Sequence, residues 1–146
     1  MPRFTTLVVD DHEEFRHFII LMLQERTQCR VIGEASDGLD AVGQAAELQP
    51  DLILLDLGLP TLNGMEAAGR IRKLSPNSKI LFVSQNCAPE IARAALRLGG
   101  HGYLLKSDAT ELPVAVETVL QGKQFVSSHF GTSLNGSVGQ IRTIAT

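Results

Sequence analysis

Cysteine is scarce in this chain of 146 residues, and an excess of basic charge is absent. The two cysteines, Cys29 and Cys87, are too few for a disulfide framework and lack the Cys-x-x-Cys spacing of zinc and redox sites. The formal net charge is −3, which gives no broad basic footprint for nucleic acid or for an anionic membrane. We therefore expect two reduced thiols, and no contact of this chain itself with nucleic acid or a membrane.

Long apolar runs are also missing from the sequence. The longest, such as Leu52 to Leu55 and Ile80 to Val83, are far shorter than the roughly 20 residues needed to cross a bilayer. The first six residues lead directly into a strand-like segment and lack the charged start, apolar stretch and cleavage site of a signal peptide. These features predict a cytoplasmic location.

The length and the 44% of hydrophobic residues are typical of one globular domain with a core of its own. Regular periodicity stops near Gly122, and the stretch from Gly131 to Gly139 is rich in Gly, Ser, Asn and Thr. We therefore expect one domain over residues 4–122 and a linker or tail over residues 123–146.

Short apolar runs alternate with longer stretches of helical period, and this alternation occurs five times. The runs are continuously apolar, which is typical of strands buried on both faces of a parallel sheet. They are Leu7-Val8-Val9, Val31-Ile32, Leu52-Ile53-Leu54-Leu55, Ile80-Leu81-Phe82-Val83 and Tyr103-Leu104-Leu105.

Each predicted strand is followed by a predicted helix. Three helices have an apolar face at helical spacing, namely Phe15, Phe18, Ile19, Met22 and Leu23 in the first, Ile91, Ala94, Ala95 and Leu98 in the fourth, and Leu112, Ala115, Val116, Val119 and Leu120 in the fifth. The second and third are expected at Leu39 to Leu48 and Met65 to Leu74, stopped by Pro50 and by Ser75-Pro76. Five such units predict an α/β fold, flavodoxin-like, with a doubly wound five-stranded parallel sheet in the order 2-1-3-4-5 and five helices.

Polar residues stand where these strands end. Asp10 and Asp11 follow the first strand, Asp56 the third, Ser84 the fourth and Lys106 the fifth. Ligands of open α/β sheets bind beyond the carboxyl ends of the strands, so we expect these side chains to converge.

Three neighbouring carboxylates repel one another unless a cation neutralises them, and oxygen ligands favour a hard ion such as Mg²⁺. A lysine and a serine hydroxyl add donors suited to phosphoryl oxygens. Together, the three carboxylates, the lysine and the serine indicate phosphoryl transfer, for which a carboxylate is a competent nucleophile. Asp56 stands alone at its strand end, whereas Asp10 and Asp11 are adjacent and could share a metal. This difference favours Asp56 only weakly over Asp10 and Asp11 as the nucleophile.

Four motifs, in this order and each at a strand end, closely resemble the receiver domains of bacterial two-component response regulators over roughly residues 4–122. They are Val8-Val9-Asp10-Asp11, then Leu54-Leu55-Asp56-Leu57-Gly58-Leu59-Pro60 with Gly64, then Val83-Ser84, and Gly102-Tyr103-Leu104-Leu105-Lys106.

The resemblance implies a CheY-like fold and a role for each site residue. Asp56 would be the phosphoacceptor. The metal site for Mg²⁺ would consist of Asp10, acting through water, of Asp11 and Asp56, which bind directly, and of the main-chain carbonyl of Gly58. Ser84 and Lys106 would bind phosphoryl oxygens, and Tyr103 would swing inward as Ser84 moves. Such a domain is a switch and not an enzyme, so no catalytic residue is assigned.

The motifs look most similar to receivers that precede a LuxR/NarL-type helix-turn-helix domain. By that resemblance a sensor histidine kinase is the partner, and the output is transcription through a DNA-binding domain absent from this chain. A stand-alone phosphorelay receiver is the alternative. A homodimer could form on phosphorylation through the fourth and fifth units, with the alanine-rich stretch Ala92 to Leu98 as a smooth surface.

The sequence departs from the family pattern at three positions. Ser107 follows the lysine where many receivers have proline, so a cis peptide, which costs about 2.5–4 kcal/mol without proline, is not expected there. Gln85 follows Ser84 where a small residue is usual and could shade the phosphoryl site. Gly58 replaces a longer side chain. The last two differences concern the lifetime of the acyl phosphate and leave the reaction class unchanged.

Two other functions compete with the switch. A phosphohydrolase of the haloacid dehalogenase type also forms an aspartyl phosphate, but it needs a second carboxylate where Gly58 stands, and a cap. A pseudo-receiver that only docks or dimerises would have a broken acidic pocket, and this one is intact. The histidines His12, His17, His101 and His129 share no metal-ligand spacing, so we expect surface or hydrogen-bonded histidines.

Overall fold

A computed structural model describes residues 3–131 and Leu134 of the chain. Its elements alternate between strands and helices in the order that the sequence predicts. They are β1 (Phe4–Val9), α1 (Glu13–Arg26), β2 (Cys29–Ala35), α2 (Gly38–Leu48), β3 (Leu52–Leu55), α3 (Gly64–Leu74), β4 (Lys79–Ser84), α4 (Pro89–Arg97), β5 (Gly102–Leu105), a 3-10 turn (Lys106–Glu111), α5 (Leu112–Leu120), β6 (Phe125–Val126) and a second 3-10 turn (Ser128–Phe130).

All strands pair in parallel, and the sheet order is β2-β1-β3-β4-β5-β6. The predicted fold class and the order 2-1-3-4-5 are confirmed. The sheet nevertheless has one strand more than the five expected, because β6 pairs with β5 through Gly102 opposite Phe125 and Tyr103 opposite Val126. A two-residue strand is too short to show periodicity. The domain boundaries of 4–122 and 123–146 stay a prediction, and most of the latter range lies outside the described residues.

The helices cover both faces of the sheet, which creates two layers of core. One layer contains Ile19 and Leu23 of α1 with Ala115, Val116 and Val119 of α5. The other joins the sheet to α2, α3 and α4 through small and branched side chains, among them Ala41, Ala45, Ala67, Ala68, Ile71, Ala92 and Ala95. With both faces covered, the strand ends are where polar side chains can gather. No helix among the described residues has the length and apolar character needed to cross a membrane.

Local sequence explains where α2 and α3 begin and where α2 ends. The side chains of Asp37 and Asn63 cap them by accepting hydrogen bonds from the backbone N–H groups of residues 40 and 66. The α2 helix stops at Gln49, which takes a left-handed conformation with φ of 47° immediately before the predicted stop at Pro50.

The apolar faces of two helices differ from prediction. Phe18 of α1 was expected in the core and is 48% exposed. In α4 the buried face is Ala92, Ala95 and Leu96, so it is rotated relative to the predicted face, and Leu98 is 45% exposed. Small alanines let α4 approach the sheet closely and leave the larger apolar residues at the flank. Since Ala92 and Ala95 are fully buried, the stretch Ala92 to Leu98 does not present the smooth alanine surface expected for a dimer.

The two leucines at positions 21 and 23 of α1 provide a matched test of this packing, because Leu23 is fully buried and Leu21 is 54% exposed. We expect Leu23→Ala to lower the free energy of unfolding by about 2–5 kcal/mol, as for other buried leucines. Leu21→Ala should change it by less than about 0.5 kcal/mol. Urea denaturation measures both, and equal losses in the two variants would contradict the assigned orientation of α1.

Candidate functional site

The carboxyl edge of the sheet brings the predicted polar residues together. Asp10 follows β1 and is 3% exposed, Asp56 follows β3 and is 4% exposed, and Ser84 ends β4 at 3%. Backbone bonds fix these ends, since Asp10 N donates to Ala35 O at 3.0 Å and Asp56 N to Val9 O at 3.1 Å. An open cavity of about 810 Å³ forms over this edge, and its lining includes Asp56, Gly58, Ser84, Gln85, Lys106 and His12.

Lys106 is the positive centre of the site. Its Nζ lies 2.8 Å from Asp10 Oδ2 and 3.3 Å from Asp56 Oδ2, and its side chain is only 8% exposed. The ammonium also lies 4.6 Å from the ring centroid of Phe15, over the aromatic face. One lysine therefore holds two buried carboxylates together, and α1 contributes a wall of this site as well as part of the core.

The environment of Asp56 disfavours its charged form. Burial raises the pKa of the Asp56 carboxyl above its usual value of 3.8, and the nearby Asp10 raises it further. Lys106 and the N–H of Gly58 act in the opposite direction and do not cancel the effect of burial. A cation placed at these oxygens would relieve the same penalty.

Four side chains could hold such a cation, namely Asp10, Asp11, His12 and Asp56, each with one ligand atom within 4.8 Å of all the others. Three of the four offer carboxylate oxygens, which fit the preference of Mg²⁺. Gly58 lies on the cavity wall with its N–H 3.4 Å from Asp56 Oδ1. The ligand role of its carbonyl oxygen stays a prediction.

His12 is a site residue that the sequence reasoning missed. Its backbone N–H donates to Asp10 Oδ1 at 2.8 Å, and its Nδ1 lies 3.3 Å from Asp10 Oδ1 and 3.3 Å from Asp11 Oδ1. The side chain is 58% exposed, as expected for a surface histidine, yet it stands at the mouth of the acidic cluster. Its position directly after two aspartates was the available signal.

Ser84 and Tyr103 are linked through Asn86, a second residue that the sequence reasoning did not single out. The backbone N–H of Asn86 donates to Ser84 Oγ at 3.0 Å, and the hydroxyl of Tyr103 donates to Asn86 O at 2.7 Å. Tyr103 is fully buried, and burial raises the pKa of its phenol. The aromatic ring therefore points inward in this structure.

Gly64 explains how α3 reaches the acceptor strand. A Cβ at this position would lie 2.1 Å from Asp56 O, closer than any real side chain tolerates. The missing side chain lets Gly64 N donate to Leu57 O at 2.8 Å and places the start of α3 directly behind Asp56. By contrast, a Cβ on Gly58 would meet nothing within 4 Å, so the backbone does not require glycine there.

Two further departures from the family pattern, Gln85 and Ser107, lie next to site residues, whereas His101 lies at the opposite end of β5. Gln85 is exposed and lines the same cavity as Asp56, and the peptide between Lys106 and Ser107 is trans. His101 accepts a hydrogen bond from Ile80 N at its Nδ1, over 3.0 Å, and burial lowers its pKa to about 4. It is a hydrogen-bonded neutral histidine, as expected.

The raised pKa of the Asp56 carboxyl predicts that Asp56→Asn stabilises the metal-free protein at pH 7. The parent pays for a buried charge at pH 7, and this penalty is absent once the carboxyl is protonated in both the folded and unfolded states. The advantage of the variant should therefore shrink as the pH falls toward 3.8. Urea denaturation across this range measures it, with the exposed Asp40→Asn as control. A less stable Asp56→Asn protein at pH 7 would contradict this account of the site.

Comparisons with known proteins place this geometry in a family. Residues 6–117 match the response regulator receiver domain. The nitrate/nitrite response regulator protein NarL of Escherichia coli strain K12 is 35% identical over 124 residues, covering 84% of this chain and 57% of NarL. The oxygen regulatory protein NreC of Staphylococcus epidermidis is 34% identical over 140 residues, covering 94% of this chain and 64% of NreC. The chain thus spans about half to two thirds of the length of these curated relatives.

Solved structures similar to this chain are also response regulators. A two-component response regulator of the LuxR family from Aurantimonas sp. SI85-9A1 aligns with a TM-score of 0.83 and 28% identity over 97% of this chain and 99% of that one. The signal receiver domain of the response regulator NarL from Mycobacterium tuberculosis aligns with a TM-score of 0.79 and 31% identity over 84% of this chain and all of that one. The chain therefore belongs to the response regulator receiver domains, in the LuxR/NarL-type group.

Proposed function

We propose that this chain is a phosphorylation switch in which Asp56 accepts a phosphoryl group from a sensor histidine kinase in a Mg²⁺-dependent reaction. The observation that carries the proposal is the position of Lys106, whose ammonium lies between Asp10 and Asp56 at the edge of an open cavity. Of the two carboxylates that Lys106 contacts, Asp56 lines the cavity, and a buried cation beside it fits the charge of an incoming phosphoryl group.

The transfer needs attack by one Asp56 carboxylate oxygen on phosphorus while the bond from phosphorus to the donor's imidazole nitrogen breaks. The donor keeps the electron pair of that bond, so no oxidant or reductant is required. Asp10, Asp11, Asp56 and the carbonyl of Gly58 would hold Mg²⁺, which supplies charge neutralisation on the phosphoryl oxygens. Because the cavity is open, the donor can approach in line from solvent.

Once phosphorylated, Asp56 would present oxygens to two side chains already close by. Lys106 can turn from the carboxylate to a phosphoryl oxygen, and Ser84 can donate its hydroxyl to another. A shift of Ser84 reaches Tyr103 through Asn86, which accepts the hydrogen bond of the Tyr103 hydroxyl. Phosphorylation thus changes the charge at Asp56 and thereby biases the position of the packed Tyr103 ring, which is how such switches usually work.

The output that we propose is control of transcription, through a DNA-binding domain outside this chain. The curated relatives described above are a nitrate/nitrite response regulator and an oxygen regulatory protein, and both are longer than this chain. A stand-alone phosphorelay receiver remains the alternative, and a homodimer on phosphorylation and a cytoplasmic location belong to the same proposal.

In this role the chain is not an enzyme. The haloacid dehalogenase alternative has no support, because Gly58 occupies the place of its second carboxylate.

Asp51 and Asp56 flank the same strand at opposite ends, which supplies a matched pair for testing the acceptor. We expect the parent chain, incubated with acetyl phosphate and Mg²⁺, to gain the mass of one phosphoryl group. Asp56→Asn should gain none, and chelation of Mg²⁺ should suppress the gain. Intact-mass spectrometry measures all three.

The control Asp51→Asn should be phosphorylated like the parent, since Asp51 is exposed at the amino edge, where it accepts hydrogen bonds from Thr5. Phosphorylation of Asp56→Asn to the parent level would refute the assignment of the acceptor. Rapid catalytic release of phosphate by the parent would instead favour a hydrolase.

A further inference from the structure

The described residues after α5 fold back onto the sheet beside the proposed switch. The chain turns at Gly122, whose φ is 85°, and β6 then pairs with β5. We call residues 125–131 with Leu134 the strap. Two backbone bonds fix it, from Phe125 N to His101 O at 3.2 Å and from Ser127 N to Tyr103 O at 2.9 Å. The second bond ends on the main chain of the switch aromatic itself.

Polar contacts fasten the strap to the 3-10 turn that begins at Lys106. The carboxylate of Asp108 accepts hydrogen bonds from the Ser127 hydroxyl and, at 3.1 Å, from the N–H of His129. The carboxylate of Glu111 accepts from the N–H of Ser128 at 3.1 Å and from the Ser128 hydroxyl. The segment that carries the site lysine is therefore tied directly to the strap.

The strap also closes the apolar surroundings of Tyr103. Phe130 is 3% exposed, and its ring centroid lies 5.7 Å from that of Tyr103 at an interplanar angle of 71°, an edge-to-face contact. Phe82 packs on the same ring at 6.4 Å between centroids, and Leu134, 1% exposed, belongs to the same core layer. Without Phe130, the Tyr103 ring would lose one of its two aromatic neighbours.

We propose that Phe130 is a positioning residue for the switch: by packing on Tyr103 it holds the ring inward and so favours the phosphoryl-binding arrangement of Ser84. The inward ring keeps its hydroxyl on Asn86 O, and Asn86 N in turn donates to Ser84 Oγ. This inference rests on the proposed function of the site. Strap docking and phosphorylation then stabilise the same state, and their coupling is reciprocal.

The sequence provides a specific probe, because the chain contains one tyrosine and no tryptophan. Tyrosine fluorescence of the full chain therefore reports on Tyr103 alone. We would titrate the chain with beryllofluoride, a mimic of the phosphoryl group, in the presence of Mg²⁺, and measure the quenching of Tyr103 fluorescence by acrylamide in each state.

Phe130→Ala is expected to make Tyr103 more accessible to acrylamide and to raise the Kd for beryllofluoride at least about 5-fold, the lower end of usual coupling between sites. Phe130→Leu, which retains a large apolar side chain, should recover most of both properties. Asp108→Asn, which weakens the strap without removing core volume, should shift both in the same direction as Phe130→Ala, and it carries the test if that variant does not fold. Leu74→Ala, an exposed truncation at the far end of α3, should match the parent.

The outcomes distinguish failure of the role inferred for Phe130 from failure of the proposed function of the site. A parent that binds beryllofluoride, with variants whose Kd and Tyr103 quenching equal those of the parent, would leave Phe130 with a structural role only and overturn this inference. A parent that fails to bind beryllofluoride would overturn the proposed function of the site, and the inference with it. Weaker binding together with a more accessible Tyr103 would support both.

Discussion

The structure depends on how two buried carboxylates, Asp10 and Asp56, are kept at the same edge of a parallel sheet. Each is less than 5% exposed, and an isolated charge in such surroundings is strongly disfavoured. Lys106 neutralises part of this charge at 2.8 and 3.3 Å, yet the pKa of Asp56 remains raised by burial. The site therefore stores an unfavourable negative charge that a divalent cation can relieve, and this makes the local energetics respond to what binds there.

The same constraint explains why so much of the site could be predicted from the sequence. The carboxyl ends of parallel strands must meet at one edge, so polar residues at the ends of continuous apolar runs converge even when they are far apart in the chain. Asp10, Asp56, Ser84 and Lys106 are all placed in this way. Choosing Asp56 as the acceptor required the family resemblance, because strand ends alone do not distinguish three similar carboxylates.

Most of the features that sequence reasoning missed depend on contacts between segments that have no periodicity. His12 contacts Asp10 and Asp11 as their neighbour in the sequence, so its position could have been recognised there. Asn86 enters through its main chain, which carries no side-chain signal. The strap has a two-residue strand and a single buried ring, Phe130, so no apolar pattern reveals it. The face of α4 was misjudged because its alanines, and not its larger residues, pack against the sheet. For the strap and for α4, tertiary packing decides, and local pattern does not.

The central claim, that Asp56 is the acceptor within a site centred on Lys106, is tested most directly by a crystal structure with Mg²⁺ and beryllofluoride. We expect beryllium bonded to an Asp56 oxygen, Mg²⁺ beside Asp10 and Asp11, and Lys106 Nζ moved from the carboxylates to within hydrogen-bond distance of a fluoride. An adduct on Asp10 or Asp11, or a bound adduct with Lys106 still on Asp10 at its present 2.8 Å, would contradict it.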